Sequence, residues 1–279
     1  MMTDVRTLLT AATQALAGPD ARREAELLLV HALRQSRAWL YAHAGDPVDS
    51  TASAALHSLL QRRAAGEPLA YLTGTRAFWT LDLEVSPAVL IPRSETECLV
   101  ELALQRLPED KAMRVADLGT GSGAIALALA RERPFAQVLA TDTSAAALAV
   151  ARGNAERLGM DNIGFARGDW CAALGAAAFD LIVSNPPYIA ADDPHLAIGD
   201  LRFEPTAALV AGDDGLDAIR IIVRDAIRHL RPDGWLLLEH GWEQGPAVRD
   251  LLAVAGFVQI AGERDLEDRE RVSLGRRPR

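Results

Sequence analysis

The chain has 279 residues, 49% of them hydrophobic and 24% charged, and a formal net charge of −9, a composition that excludes a disordered or low-complexity chain and leaves room for one large domain with an appendage. No apolar run reaches the roughly 18 residues a membrane helix needs; the first residues lack a secretory pattern; two cysteines, Cys98 and Cys171, in unrelated contexts exclude a disulfide framework and offer no metal cluster. A cytoplasmic protein without membrane or metal partners is therefore expected, and the acidic excess, all of it beyond residue 75, leaves no basic stripe for a nucleic-acid backbone.

Up to about residue 66 the apolar positions recur at helical spacing. Thr7–Gly18, Ala21–Gln35 and Thr51–Ala65 are predicted helices, punctuated by Gly18-Pro19-Asp20 and Gly45-Asp46-Pro47. A small helical domain over residues 1–73 is expected. Residues 74–93 alternate apolar and polar side chains around Thr80 to Asp82, the pattern of a short β-hairpin linking two domains. From Arg114 onward short apolar strands alternate with helices. The strand candidates are Arg114–Leu118, Gln137–Asp142, Ile163–Arg167, Phe179–Ser184 and Trp235–Glu239; the helices are expected to begin at Gly123, Ser144, Gly215 and Gln244. That order predicts right-handed crossovers and a mainly parallel, doubly wound α/β sheet over residues 94–279. The segments around Gln259 and Arg271–Gly275 could close it with an antiparallel hairpin at the edge. Arg276, Arg277 and Arg279 read as a solvated tail.

Open α/β sheets bind ligands at the carboxyl ends of their strands. The first strand ends in ADLGTGSGA, where Gly119, Gly121 and Gly123 permit a sharp turn and close approach of a ligand to the backbone. The spacing is not that of a dinucleotide fingerprint or a P-loop. The second strand ends at Asp142, placed to accept both hydroxyls of a ribose or to cap the next helix. After the third strand, Asp169 could bond an adenine amino group and Trp170 could cover the ring, unless Trp170 is a core residue. The fourth strand delivers Asn185-Pro186-Pro187-Tyr188 to the same edge. Two prolines stiffen this turn, so that the Asn185 side-chain oxygen and the Pro186 carbonyl form a rigid pair of acceptors. A planar NH₂ group has the two matching donors. Holding both hydrogens would orient such a weak nucleophile toward an electrophile, with Tyr188 against the substrate plane or near a cationic electrophile. No catalytic His or Cys is evident, and none is demanded.

DLGTGSGAIALALA and the NPPY turn resemble those of class I S-adenosylmethionine-dependent methyltransferases that act on planar amino groups. EPLAYLTGTRAFWTLDLEVSPAVLIPRSETECLVE, SNPPYI, FEPTAALVAGDDGLD and LLLEHGWEQG resemble segments of the bacterial release factor glutamine methyltransferase family. The resemblance implies a seven-stranded Rossmann-like sheet. It also implies methyl transfer to the glutamine N5 of the Gly-Gly-Gln motif in release factors, with S-adenosylhomocysteine as second product. Gly119, Thr120, Gly121, Ser122 and Gly123 would line the methionine and ribose, Asp142 would hold the ribose and Trp170 the adenine. Asn185, Pro186, Pro187 and Tyr188 would hold the substrate amide, and the helical domain would help grip the release factor. Ser94 departs from the family's usual proline, while Arg93, Glu95 and Thr96 stand in place. His195, Arg202 and Glu204 lie in segments near the motif and receive no catalytic role. The alternatives are a ribosomal-protein glutamine methyltransferase, a nucleic-acid amino methyltransferase, and a non-catalytic nucleotide-binding module.

Overall fold

The computed structural model describes residues 3–279. The chain divides into two compact units: residues up to Thr75 together with Ala197–Phe203, and Arg76–Leu196 together with Glu204–Arg279.

The first unit is helical. Its elements are α1 (Val5–Ala15), α2 (Ala21–Leu33), α3 (Arg37–Ala42), α4 (Ser50–Ala64) and α5 (Leu69–Thr73). Asp4, Ser36 and Asp49 cap α1, α3 and α4 by accepting from backbone N–H groups three residues on, which satisfies donors that a helix start leaves orphaned. Leu9, Ala25, Leu28, Leu29 and Leu56 fill the core. Beside them the carboxylate of Glu26 is buried and accepts from Arg22, Arg37 and Tyr41. Burial alone would raise its pKa, but the three donors outweigh it and hold the group below the usual carboxylate range. The short α3 and α5 are absent from the periodicity-based expectation, because six and five residues are too few to display a helical repeat.

The second unit opens with β1 (Thr75–Phe78) and β2 (Leu81–Glu84), a two-stranded hairpin. Expected as a linker, the hairpin packs Phe78, Leu81 and Leu83 into the core of this unit. Then follow α6 (Thr96–Leu104), β3 (Arg114–Leu118), α7 (Ala124–Glu132), β4 (Gln137–Asp142), α8 (Ala145–Leu158), β5 (Ile163–Arg167) and β6 (Phe179–Ser184). α9 (Asp217–His229), β7 (Leu230–Glu239), α10 (Gly245–Val254), β8 (Val258–Arg264) and β9 (Glu270–Arg276) complete it. The seven-stranded sheet has the order β5-β4-β3-β6-β7-β9-β8, and only β9 runs against its neighbours.

Alternation along the strands assigns the two faces. Val115, Leu181, Val183, Leu237 and Val272 point to the side covered by α6 and α7. Ala116, Leu118, Ile182, Leu236 and Leu238 point to the side covered by α9 and α10. Fully burying each of these Leu or Ile side chains contributes about 1.5–3 kcal/mol.

Two expectations need correction. β7 begins at Leu230, five residues before the predicted strand, and Arg231-Pro232-Asp233-Gly234 forms a bulge within it, with Asp233 at a φ of 70°. The closing antiparallel hairpin stands at the sheet edge as expected, with β9 next to β7 and β8 outermost, and Val272 and Leu274 of β9 are buried. The C-terminal arginines are not a free tail, for Arg276 and Arg279 pair with Asp233 and the Arg277 N–H donates to the Gly234 carbonyl. Among the described residues no helix is long and apolar enough to cross a membrane.

Candidate active site

At the carboxyl end of β3 the chain turns through Gly119, Gly121 and Gly123 at φ of 72°, 56° and 87°, values that favour residues without a Cβ. The three glycines serve different ends. A Cβ on Gly119 would come within 3.2 Å of the Trp170 ring, one on Gly121 would meet nothing within 4 Å, and one on Gly123 would strike Leu127 at 2.9 Å. Gly123 is thus a packing residue at the N-cap of α7 and, contrary to expectation, does not line the cavity. Thr120 anchors the turn: its N–H donates to the Thr141 carbonyl at 2.8 Å and its hydroxyl to Asp117 Oδ2 at 2.6 Å. Asp117 is fully buried, which pushes its carboxyl up to about 7.

Asp142, at the end of β4, ties the glycine turn to the segment ahead of α8. Its Oδ2 accepts from the Gly121 N–H at 3.0 Å and its Oδ1 from the Ser144 N–H at 2.8 Å, while Ser144 itself caps α8. Each carboxylate oxygen retains a free lone pair, and Asp142 lines the cavity. The cavity holds about 230 Å³ and is walled by Gly119, Thr120, Gly121, Ser122, Asp142, Trp170 and Asn185, among others. Trp170 adopts a φ of 41°, rare for a side chain of its size, and lays its ring over Gly119. Asp169 is exposed and stands outside the lining, so the structure does not support it as an adenine contact.

Asn185 follows the last residue of β6. Its Nδ2 donates to the hydroxyl of Thr96, the first residue of α6, at 3.0 Å, which turns its Oδ1 away from Thr96. Asn185 and Pro187 line the cavity; Pro186 is buried and does not. Tyr188 is also outside the lining. Its hydroxyl donates to Glu239 Oε1 at 3.4 Å and its carbonyl accepts from Gln244 Nε2 at 3.0 Å, so the ring braces the turn from behind instead of lying against the cavity space. Burial and the neighbouring Glu239 push its phenol well above the usual range. Glu239 is fully buried at the end of β7, and burial raises its carboxyl to about 7. The adjacent His240 turns its ring to the Ser273 hydroxyl and the Gly241 carbonyl, and burial lowers its pKa, so it is a neutral packing residue. Burial likewise keeps Cys98 and Cys171 as thiols, raised to about 11 and about 12.

The remaining walls come from segments to which sequence reasoning gave no individual role: Phe78, Val89, Leu90, Pro92 and Arg93 before α6, and Pro205, Ala207 and Ala208 after β6. Glu204 ties them together. Its buried carboxylate pairs with Arg93 and accepts from the Ile91 N–H at 3.0 Å. The signal available in the sequence was a lone arginine and a lone glutamate 111 residues apart, which no local pattern connects. The Ser94 hydroxyl donates to the neighbouring Glu95 and its carbonyl accepts from the Glu97 N–H, both local contacts, in keeping with a local effect of its departure from proline. His195 is exposed and bonds Asp193; Arg202 belongs to the first unit, where its Nε donates to the Gly199 carbonyl.

A family model described as methyltransferase small domain matches residues 97–212, and one described as PrmC N-terminal domain matches residues 7–74. The release factor glutamine methyltransferase of Xylella fastidiosa (strain Temecula1) is 59% identical over 271 residues, covering 97% of both chains. Its counterpart in Escherichia coli (strain K12) is 49% identical over 269 residues, 96% of this chain and 97% of that one. Among solved structures, the ribosomal protein L11 methylase of Lactobacillus delbrueckii subsp. bulgaricus superposes with a TM-score of 0.50 at 26% identity, over 67% of this chain and 81% of that one. Identity at these levels, sustained along nearly the full length of both partners and joined to a glycine turn, an acid and an Asn-Pro-Pro-Tyr turn at one sheet edge, makes this methyltransferase a member of the release factor glutamine methyltransferase family.

Proposed function

We propose that the chain transfers the methyl group of S-adenosylmethionine to the side-chain amide nitrogen, N5, of the glutamine in the Gly-Gly-Gln motif of peptide chain release factors. The observation that carries this reading is the Asn185 amide, whose nitrogen is committed to Thr96 and whose oxygen is left as an acceptor at the cavity wall. The names of the relatives, matched along nearly their whole length, support the choice of a release factor as substrate. In this reading the helical unit grips the release factor, and neither a nucleic acid nor a membrane takes part.

The residues present fit the cofactor. The open space over Gly121, the Trp170 ring resting on Gly119 and the free lone pairs of Asp142 suit a methionine, an adenine and a ribose diol respectively. When bound, S-adenosylmethionine supplies an electrophilic methyl group on a sulfonium. The work of the chain is then to prepare the other reactant. A glutamine amide nitrogen is a weak nucleophile because its lone pair is delocalised into the carbonyl. Asn185 Oδ1 accepts one of its hydrogens, which aims the lone pair and stabilises the positive charge that grows on nitrogen during attack. The alkylated nitrogen is acidic enough to lose its proton to water, so no buried base is required.

The test is label transfer from methyl-labelled S-adenosylmethionine to purified release factor. Wild-type factor is expected to be labelled, and factor with its acceptor glutamine changed to a non-amide residue is not. Equal labelling of the altered factor, or preferential labelling of a ribosomal protein or of DNA, overturns the reading.

A further inference from the structure

A side chain at the N-cap of a helix ordinarily accepts from the free N–H groups of its own first turn. Gln244, at the N-cap of α10, does not. Its amide is spent on three other segments. Oε1 accepts from the Gly241 N–H at 2.8 Å, while Nε2 donates to the Tyr188 carbonyl at 3.0 Å and to the Asp214 carbonyl at 3.2 Å. A primary amide has two hydrogens and one oxygen, and here all three are engaged, joining the Asn-Pro-Pro-Tyr turn to the loop before α9 and the loop after β7. Gly215 makes room for this junction. It takes a φ of 73°, and a Cβ there would fall 2.2 Å from the Tyr188 oxygen and 2.8 Å from Gln244 Nε2.

Beyond Tyr188 the chain enters a short parallel ladder, in which the Ile189 N–H donates to the Leu209 carbonyl at 2.9 Å and the Ala211 N–H to the Ile189 carbonyl at 3.0 Å. At its other end the turn leaves β6, where the buried Ser184 hydroxyl donates to the Leu118 carbonyl at 2.6 Å. Between these anchors lie Asn185 and two prolines. The fixed φ of each proline leaves little slack, so a shift of the Tyr188 carbonyl passes to the Asn185 amide instead of being absorbed on the way. We propose that Gln244 is a positioning residue for methyl transfer, with Gly215 as its seat: by holding the Tyr188 carbonyl it fixes the far end of the turn, and with it the place of Asn185 Oδ1 at the cavity wall. Gln244 itself stands outside the cavity lining. Its leverage comes from geometry, since a misplacement of about 1 Å can cost about 100-fold in rate.

The inference rests on the reading of Asn185 as the amide acceptor, and the experiment separates the two. Turnover on purified release factor, S-adenosylmethionine affinity by calorimetry, the thermal midpoint and amide hydrogen exchange at Ile189 and Ala211 are measured for N185A, Q244M, Q244E and G215A. Methionine keeps the length of glutamine without its hydrogen-bonding groups; glutamate keeps the shape and the Gly241 bond but turns a carboxylate oxygen on two carbonyls. The expected result is a kcat lowered about 3- to 30-fold in Q244M and at least as far in Q244E and G215A, with cofactor affinity within about twofold of wild type. Exchange at Ile189 and Ala211 is expected to quicken in Q244M, because the ladder is no longer held at the turn. A merely structural role lowers the midpoint but leaves kcat at the wild-type value well below it, and overturns the proposal. So does a Q244E protein with wild-type turnover, which would mean that shape alone suffices, or a fall in kcat without faster exchange, which would mean that the loss does not pass through the turn. Cofactor affinity falling in parallel with turnover overturns it as well, as collapse of the site. If N185A turns over at the wild-type rate, the reading of Asn185 fails and takes this inference with it. If N185A fails while Q244M and Q244E are unimpaired, only the inference falls.

Discussion

At the scale of single residues, the site depends on one atom that must not be lost and one that must not be added. Asn185→Ala removes the oriented acceptor, and turnover is expected to fall by about 2.7–4 kcal/mol in transition-state stabilisation while S-adenosylmethionine still binds; steady-state kinetics beside calorimetry checks the split. Gly119→Ala adds a Cβ at a φ of 72° within 3.2 Å of the Trp170 ring. The left-handed backbone alone costs about 1–2 kcal/mol, so cofactor affinity is expected to weaken roughly tenfold or more, with a displaced Trp170 visible as a change in fluorescence. Of the residues singled out in the sequence, Gly119, Thr120, Gly121, Ser122, Asp142, Trp170, Asn185 and Pro187 line the cavity. Gly123, Pro186 and Tyr188 do not. Residue type and spacing mark where the chain turns, but they do not say toward which side a ring or a carbonyl faces.

At the scale of elements, the walls are held by pairs of charges that no local pattern announces. Arg93, ahead of α6, and Glu204, in the segment after β6, are joined in a pair whose carboxylate is completely buried. Glu204→Gln keeps the shape and leaves Arg93 without its anion. Breaking a buried pair from one side costs about 3–5 kcal/mol, eased here because Arg93 is 30% exposed on its side chain. The urea midpoint of the second unit is expected to drop, and turnover with it, since the wall residues Pro92 and Pro205 flank the pair. Glu26→Ala in α2 contrasts with this. Its partners Arg22 and Arg37 are more than half exposed and rehydrate once released, so the expected loss is only about 1–2 kcal/mol, read as a lower unfolding midpoint of the helical unit. The long helices and the buried strands were legible because each repeats its own period over several turns or pleats. α6 was not: only Glu97 and Glu101 interrupt its nine mostly apolar residues, and a stretch that short does not distinguish helix from strand.

For the molecule as a whole, two buried carboxyls set a pH dependence. Asp117 and Glu239 are each raised by burial to about 7, from ordinary values near 4. A folded-state pKa above the unfolded one means that the folded chain holds a proton the unfolded chain has released. The stability these groups confer in protonated form is therefore complete below the unfolded pKa and is lost as pH rises through about 7. The thermal midpoint of the second unit is expected to decline between about pH 5 and 8 relative to E239Q, whose amide cannot ionise; parallel curves for the two proteins would remove Glu239 from that account.

Read along the chain alone, the residues settle the long helices and the buried strands, the doubly wound character of the sheet and the class of chemistry at its edge. Those properties arise from neighbours a few positions apart, through periodicity, glycine freedom and the fixed φ of proline. The family segments added the substrate. The direction in which Asn185 presents its amide was beyond such reading, since it depends on Thr96, 89 residues away. An amide looks the same from the sequence in either orientation, and only the packed fold, by bringing the Thr96 hydroxyl against the amide nitrogen, distinguishes its two ends.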